Sequence, residues 1–106
     1  MTIVDRARLV TGGIDTHLHV NVVAALDPIG GLLGVAEFAT TKVGHRELLD
    51  WLEGFGPIAR VGVEGTGSYG TGVARFLRRA GIEVVEVDRP NRQMRSSASS
   101  RLRSPR

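Results

Sequence analysis

The sequence predicts one small mixed α/β domain whose elements follow the order βββαβαβ. Three observations predict this class. Short apolar runs of strand length alternate with two stretches of helical periodicity, and clusters of glycine and proline separate them. Hydrophobic residues make up 42% of the 106 residues, which is typical of a globular chain long enough for one domain.

The first half of the chain predicts three strands joined by short turns. We expect strands at residues 8–17, 20–26 and 32–40, and the nearly continuous apolar run at 20–26 is typical of a buried strand. A turn is predicted at 16–19, and Pro and Gly provide another at 27–31. Three successive strands with such short links predict an antiparallel meander.

A helix is predicted next, capped by Thr40 or Thr41 and running to Phe55. Its apolar residues follow the spacing i, i+3, i+4, i+7 and give one core-facing stripe. These residues are Leu48, Trp51, Leu52 and Phe55.

The remaining elements alternate strand, helix and strand. We expect a strand at 58–64, a helix at 71–80 that ends at Gly81, and a strand at 82–87. Together with the meander, the two parallel crossovers give the pattern of an RNase H-like α/β domain.

Basic residues are concentrated at the carboxyl end. Residues 89–106 contain six arginines and no acid, so residues 1–88 carry 8 basic and 11 acidic residues. We expect residues 8–88 to form the domain and residues 89–106 to be a basic tail with a low-complexity serine run, either disordered or frameshifted. Its arginines could contact nucleic acid phosphates, and Arg89, Arg92 and Arg95 are the candidates. The alternative is an arginine-rich end without a partner.

Neither a disulfide nor a thiolate metal site is possible, because the chain has no cysteine. The amino terminus lacks the apolar core of a signal peptide, and no apolar run approaches the length that spans a bilayer. We therefore expect a cytoplasmic protein without a membrane partner.

Two acids stand on short apolar strands, Asp15 on the first and Glu64 on the fourth. A carboxylate in such a strand is costly to desolvate unless a cation or hydrogen bonds meet it. Oxygen ligands suit Mg²⁺ or Mn²⁺, and paired carboxylates hold the ions of two-metal phosphoryl transfer. The pair therefore suggests a shared metal site. The alternative is that each acid accepts backbone hydrogen bonds at a strand end.

Three segments resemble the IS110-like transposases, a family with an RNase H-like, RuvC-type catalytic domain. Residues 13–17 (Gly-Ile-Asp-Thr-His) resemble its opening strand, and residues 64–70 (Glu-Gly-Thr-Gly-Ser-Tyr-Gly) resemble its second acidic segment. Residues 86–93 (Glu-Val-Asp-Arg-Pro-Asn-Arg-Gln) resemble the hinge that follows. The resemblance covers roughly residues 10–95.

The resemblance implies that Asp15 and Glu64 match the first two acids of a four-carboxylate Asp-Glu-Asp-Asp site that uses Mg²⁺. It further implies DNA transposition by metal-dependent DNA cleavage and strand exchange in the full-length protein, with DNA and a guide RNA as partners. A homo-oligomer, or pairing with a full-length transposase, is a further possible assembly.

The sequence departs from the family pattern beyond the hinge. Residues 96–106 contain no acid in the place of the third and fourth carboxylates, and the domain with the nucleophilic serine has no counterpart. Our hypothesis is a truncated or frameshifted transposase that is inactive alone, so its status as an enzyme stays open. The missing elements would leave one sheet face uncovered, which favours aggregation.

Two other functions are open. One is a non-catalytic module that binds nucleic acid or dimerises. The other is a dinucleotide-binding domain, because Gly65-x-Gly67-x-x-Gly70 lies between a strand and a helix. The structural interpretation of these glycines is a tight strand-to-helix turn. His17, His19 and His45 are interpreted as surface or hydrogen-bonded histidines rather than metal ligands.

Overall fold

The computed structural model describes residues 9–65 and 69–87. They form five strands and two helices in the predicted order βββαβαβ. The strands are β1 (Val10–Thr16), β2 (Val20–Leu26), β3 (Leu32–Ala39), β4 (Ile58–Glu64) and β5 (Val84–Val87), and the helices are α1 (Lys42–Glu53) and α2 (Thr71–Arg79). The bounds of β2 and β4 match the prediction, whereas the other elements are shorter by one or two residues at an end.

The strands form one mixed sheet in the spatial order β3-β2-β1-β4-β5. β1 pairs antiparallel with β2, and β2 pairs antiparallel with β3. β4 lies parallel to both β1 and β5. The predicted meander and the two parallel crossovers are therefore confirmed, and the mixed α/β sheet is that of an RNase H-like domain.

Helix α1 begins where a threonine supplies a side-chain cap. The Thr41 hydroxyl accepts a hydrogen bond from the backbone N–H of Gly44 at 3.0 Å, as one of the two predicted caps requires. The predicted apolar stripe faces the sheet: Leu48 and Leu52 are fully buried. Trp51 lies at the stripe's border and packs against the Phe38 ring of β3, with ring centroids 5.9 Å apart.

Helix α2 ends at the predicted glycine. Gly81 has a φ of +86°, a conformation that favours glycine at a helix end. The backbone N–H groups of Gly81 and Ile82 donate to Arg78 and Leu77, which satisfies two carbonyls of the last turn. Val73, Ala74 and Leu77 are buried, so α2 contributes one apolar face to the core.

The core lies on only one side of the sheet, where both helices pack. Its buried members come from the strands and both helices: Val10, Ile14, Val23, Ala25, Leu48, Leu52, Val61, Val63, Val73 and Leu77. The opposite side of the sheet, which we call the open face, carries no helix of the described residues. Val35 is 56%, Val85 42% and Val87 45% exposed there.

The expectation that residues 20–26 form a fully buried strand is wrong. Burial alternates along β2, with Asn21, Val23 and Ala25 buried beneath the helices and the intervening residues half-buried. The physical reason is the one-sided core, because a strand covered on one face buries every second side chain.

Several predictions lie outside the described residues. These include the tail 89–106 and both limits of the predicted domain 8–88. Within the part of the chain that the structure describes, no helix is long and apolar enough to cross a membrane.

Candidate functional site: a carboxylate pair on the open face

Sheet pairing brings the two predicted acids together. Asp15 on β1 is the Cα partner of Glu64 on the parallel strand β4, and neighbouring strands lie about 4.8 Å apart. The preceding residues Ile14 and Val63 are partners too, and they are buried beneath the helices. Because successive side chains point to opposite faces, Asp15 and Glu64 both lie on the open face.

Solvent access explains why the sheet tolerates these two carboxylates. The Asp15 side chain is 50% exposed, and Glu64 is half-buried. The apolar strands therefore do not bury the two acids, because water reaches the carboxylates on the open face. Their position costs little desolvation, and it leaves their oxygens accessible to a ligand.

Hydrogen bonds fix the backbone that carries the pair. The Thr16 hydroxyl, fully buried, donates to the Glu64 carbonyl oxygen at 2.7 Å. This bond ties the carboxyl end of β1 to that of β4. The backbone N–H of His17 donates to Val20 at 2.9 Å and closes the predicted turn between β1 and β2.

A histidine contacts the first acid. Nε2 of His17 lies 3.1 Å from Oδ2 of Asp15, and both side chains are about half exposed. The expectation that His17 lies in the strand is wrong, since β1 ends at Thr16, whereas its interpretation as a hydrogen-bonded histidine is confirmed. The contact joins residues i and i+2, which lie on the same face of an extended chain.

A third acid shares the same row of the sheet. Glu37 on β3 pairs with Val22, and Val22 pairs with Asp15. Two strand spacings separate Glu37 from Asp15, roughly 10 Å. Within the described residues no three acidic, histidine or cysteine side chains come close enough to hold one metal ion, so the site consists of two carboxylates.

A shallow depression of about 460 Å³ opens beside the pair. Asp15 and Glu64 stand at its rim, and its floor includes Gly13, Ala24 and Gly62. A Cβ atom at Gly13 would meet nothing within 4 Å, so small residues keep the floor low. The depression therefore presents two carboxylates above an apolar, sterically open surface.

Gly65 and Gly70 lie at the two ends of the connection between β4 and α2. Gly65 has a φ of +85°, and its carbonyl accepts the backbone N–H groups of Tyr69 and Gly70 at 3.0 and 2.9 Å. Gly70 is the N-cap of α2 and provides no side-chain cap. The central glycine of the predicted dinucleotide motif, Gly67, lies outside the described residues, so the motif stays a prediction.

The other candidate residues lie away from the pair or outside the described residues. His45 packs on α1 against the Phe76 ring, 5.7 Å between centroids, and burial lowers the pKa of this imidazole. The predicted phosphate contacts Arg89, Arg92 and Arg95 fall outside the described residues.

A family model described as a transposase, of the IS110-type DEDD class, matches residues 12–104. The chain belongs to the IS110 family of DEDD transposases. The match includes both acids of the pair and extends into the segment that we assigned to a tail. No curated protein shows significant similarity to the chain.

Two solved structures are similar to part of this chain. One is an exopolyphosphatase from Cytophaga hutchinsonii, 15% identical, with a TM-score of 0.41 over 74% of this chain and 34% of the other. The other is the Aquifex aeolicus member of the Ppx/GppA family, 9% identical, with a TM-score of 0.38 over 76% and 35%. The chain thus spans about a third of the length of each.

Proposed function

We propose that Asp15 and Glu64 bind a divalent metal ion, Mg²⁺, for DNA cleavage and strand exchange by the transposase. The observation that carries the proposal is their pairing across the parallel strands β1 and β4, on the open face. Mg²⁺ is usually held by one or two carboxylates together with water and substrate phosphates. Two adjacent, solvent-accessible carboxylates fit that requirement.

Each residue of the site has a distinct part in this proposal. Asp15 and Glu64 supply the carboxylate oxygens, and Thr16 positions the Glu64 backbone through its 2.7 Å hydrogen bond. His17 positions the Asp15 carboxylate by contacting Oδ2. The metal, when bound, would activate the attacking oxygen and stabilise the leaving one.

Two carboxylates provide half of the four-carboxylate set that the family implies. Residues 96–106 contain no acid, so the sequence gives no match for the other half. We infer weak metal binding and no DNA cleavage by this chain alone. In the whole transposase, DNA and a guide RNA would be the partners. The proposed protein partner is a second copy of this chain or a full-length transposase, and sedimentation measures either assembly.

Metal binding is the direct test. Backbone amide NMR signals of residues 14–17 and 63–65 should shift on addition of Mg²⁺, and Mn²⁺ should broaden the same signals. Asp15→Asn and Glu64→Gln should each abolish the response. Glu37→Gln is the matched control, because Glu37 lies on the same face and row but two strands away from Asp15.

The Glu37→Gln control distinguishes a specific metal site from non-specific attraction of cations to the open face. If Glu37→Gln weakens the response as much as Asp15→Asn, the ion is attracted by the net charge of the open face and the proposed pair is wrong. An unchanged response in both pair variants would contradict the proposal as well. Strand cleavage by the wild-type chain with Mg²⁺ would contradict the inactivity that we infer.

A further inference from the structure

The helix side of the sheet carries a second surface with chemistry of its own. A groove of about 440 Å³ lies between α2 and β5. Its lining is made by one helix and the edge strand: Thr71, Ala74, Arg75, Arg78, Arg79 and Glu86. We call this surface the α2–β5 groove.

Among the described residues, cations are concentrated beside this groove. The lysines and arginines of residues 9–65 and 69–87 are Lys42, Arg46, Arg60, Arg75, Arg78 and Arg79. Half of them therefore lie within five residues of α2, and α2 contains no acid. Helix α1, in contrast, mixes two cations with three acids.

The three arginines crowd one another. Arg75 is spaced i, i+3 from Arg78 and i, i+4 from Arg79, and side chains at these spacings are neighbours on a helix surface. Like charges at this spacing destabilise a helix. Favourable interaction with the helix dipole explains cations in the last turn, Arg78 and Arg79, but it does not explain Arg75, one turn earlier.

Only one of the three guanidinium groups is neutralised within the described residues. Nη2 of Arg78 lies 2.7 Å from Oε2 of Glu86. No ion pair or hydrogen bond to another described residue engages the side chains of Arg75 and Arg79, and both are exposed. The groove thus offers two guanidinium forks, the geometry that binds phosphate oxygens bidentately.

We propose that the α2–β5 groove binds the phosphodiester backbone of nucleic acid through Arg75 and Arg79, with Glu86 limiting the affinity. The partner is a phosphodiester chain because two adjacent, unneutralised forks along one groove match successive phosphates rather than a single anion. The contact is independent of base sequence. It is also independent of the proposed metal site, which lies on the open face.

The salt dependence of DNA affinity tests whether Arg75 and Arg79 contact phosphates. Each neutralised phosphate changes the slope of log K against log salt concentration by about 0.9 for duplex DNA. For the 106-residue chain with a 20-base-pair duplex in EDTA, Arg75→Gln/Arg79→Gln should lower the magnitude of the slope by about 1.8. Between 50 and 200 mM NaCl the variant should lose roughly tenfold less affinity than the wild type.

A charge-matched control separates the groove from net charge. Lys42→Gln/Arg46→Gln removes two exposed cations from α1 and should leave the slope nearly unchanged. Glu86→Gln should act in the opposite direction and steepen the slope by about 0.9, because Arg78 then becomes available to a phosphate. Circular dichroism of each variant verifies that α2 remains folded.

Several outcomes would overturn the proposal. One is an equal loss of slope in the groove variant and in the α1 control. Another is an unchanged affinity in Glu86→Gln. A third is that Arg75→Gln/Arg79→Gln weakens binding to phosphatidylserine vesicles but leaves binding to DNA unchanged. The groove would then bind a membrane surface instead. Repeating the series with duplex and single-stranded RNA identifies which nucleic acid binds most tightly. All of these affinities are measured in EDTA, without free divalent metal, so a failure of the metal proposal would be seen separately.

Discussion

Two buried polar side chains stand next to each other in the sheet and predict opposite mutational effects. Thr16 on β1 is the Cα partner of Asn21 on β2, and they are 0% and 1% exposed. The Thr16 hydroxyl donates to the Glu64 carbonyl. Neither Nδ2 nor Oδ1 of Asn21 has a hydrogen-bond partner among the described residues. Leaving a buried polar group unsatisfied costs about 1–3 kcal/mol.

Asn21→Val should therefore stabilise the protein. The substitution removes both unsatisfied groups and introduces a side chain that favours strands, so the free energy of unfolding should rise by about 1–3 kcal/mol. Each kcal/mol corresponds to an increase in Tm of about 4–8 °C for a domain of this size. Thr16→Val should instead lower the free energy of unfolding by about 1 kcal/mol, because the Glu64 carbonyl loses this donor.

Urea and thermal unfolding followed by circular dichroism measure both effects on the same chain. Thr16→Val measures how much one buried hydrogen bond contributes to the free energy of unfolding at this end of the sheet. A loss of more than about 1 kcal/mol in Asn21→Val would refute the reasoning. It would mean that a bound water satisfies the amide, and Asn21 would then be a polar part of the core.

Three further predictions concern helix α1. Gly44→Ala should destabilise the protein by about 3 kcal/mol or more, because a Cβ atom there would overlap the backbone carbonyl of Ala39. Thermal unfolding measures the loss, and an unchanged Tm would contradict this close contact between α1 and Ala39. Thr41→Ala should lower the free energy of unfolding by about 1 kcal/mol through loss of the cap, with Thr41→Ser as the control that retains the hydroxyl. Burial lowers the pKa of His45 in the folded state, so the unfolded state binds more protons just below pH 6.5. Stability should therefore be full above that pH and fall as the solution is acidified toward the folded pKa, a decline that His45→Gln should reduce in urea titrations.

Local sequence signals were sufficient for the order of the elements. The capping threonine, the apolar stripe through Leu48 and Leu52, and Gly81 at the end of α2 act over a few residues. The structure shows each of them where the sequence predicts it. The same signals predicted the two parallel crossovers, because a strand–helix–strand unit requires one. They did not predict that β4 pairs with β1 and so brings Asp15 beside Glu64.

Properties that depend on register or on what covers a face were not predictable in this way. The row that joins Glu37, Val22 and Asp15 exists only because β3 and β2 pair at particular residues, and a shift by one residue would move Glu37 to the other face. The half-exposed β2 residues depend on the absence of a helix from the open face among the described residues. The unsatisfied amide of Asn21 likewise depends on three-dimensional neighbours.

The α2–β5 groove and the carboxylate pair lie on opposite sides of the sheet. This arrangement limits how nucleic acid bound in the groove could reach the carboxylates. Glu86 of the groove faces the helices, whereas the next residue, Val87, lies on the open face and pairs with Glu64. β5 is the edge strand of the described sheet. A phosphodiester chain that contacts both surfaces must therefore pass around the β5 edge, or the groove must hold a different strand from the one that meets the metal. A duplex offers two strands for the second arrangement, whereas a single-stranded molecule offers one. We therefore expect duplex DNA to depend on both Arg75 and Glu64 when Mg²⁺ is present, and single strands to depend on one of them.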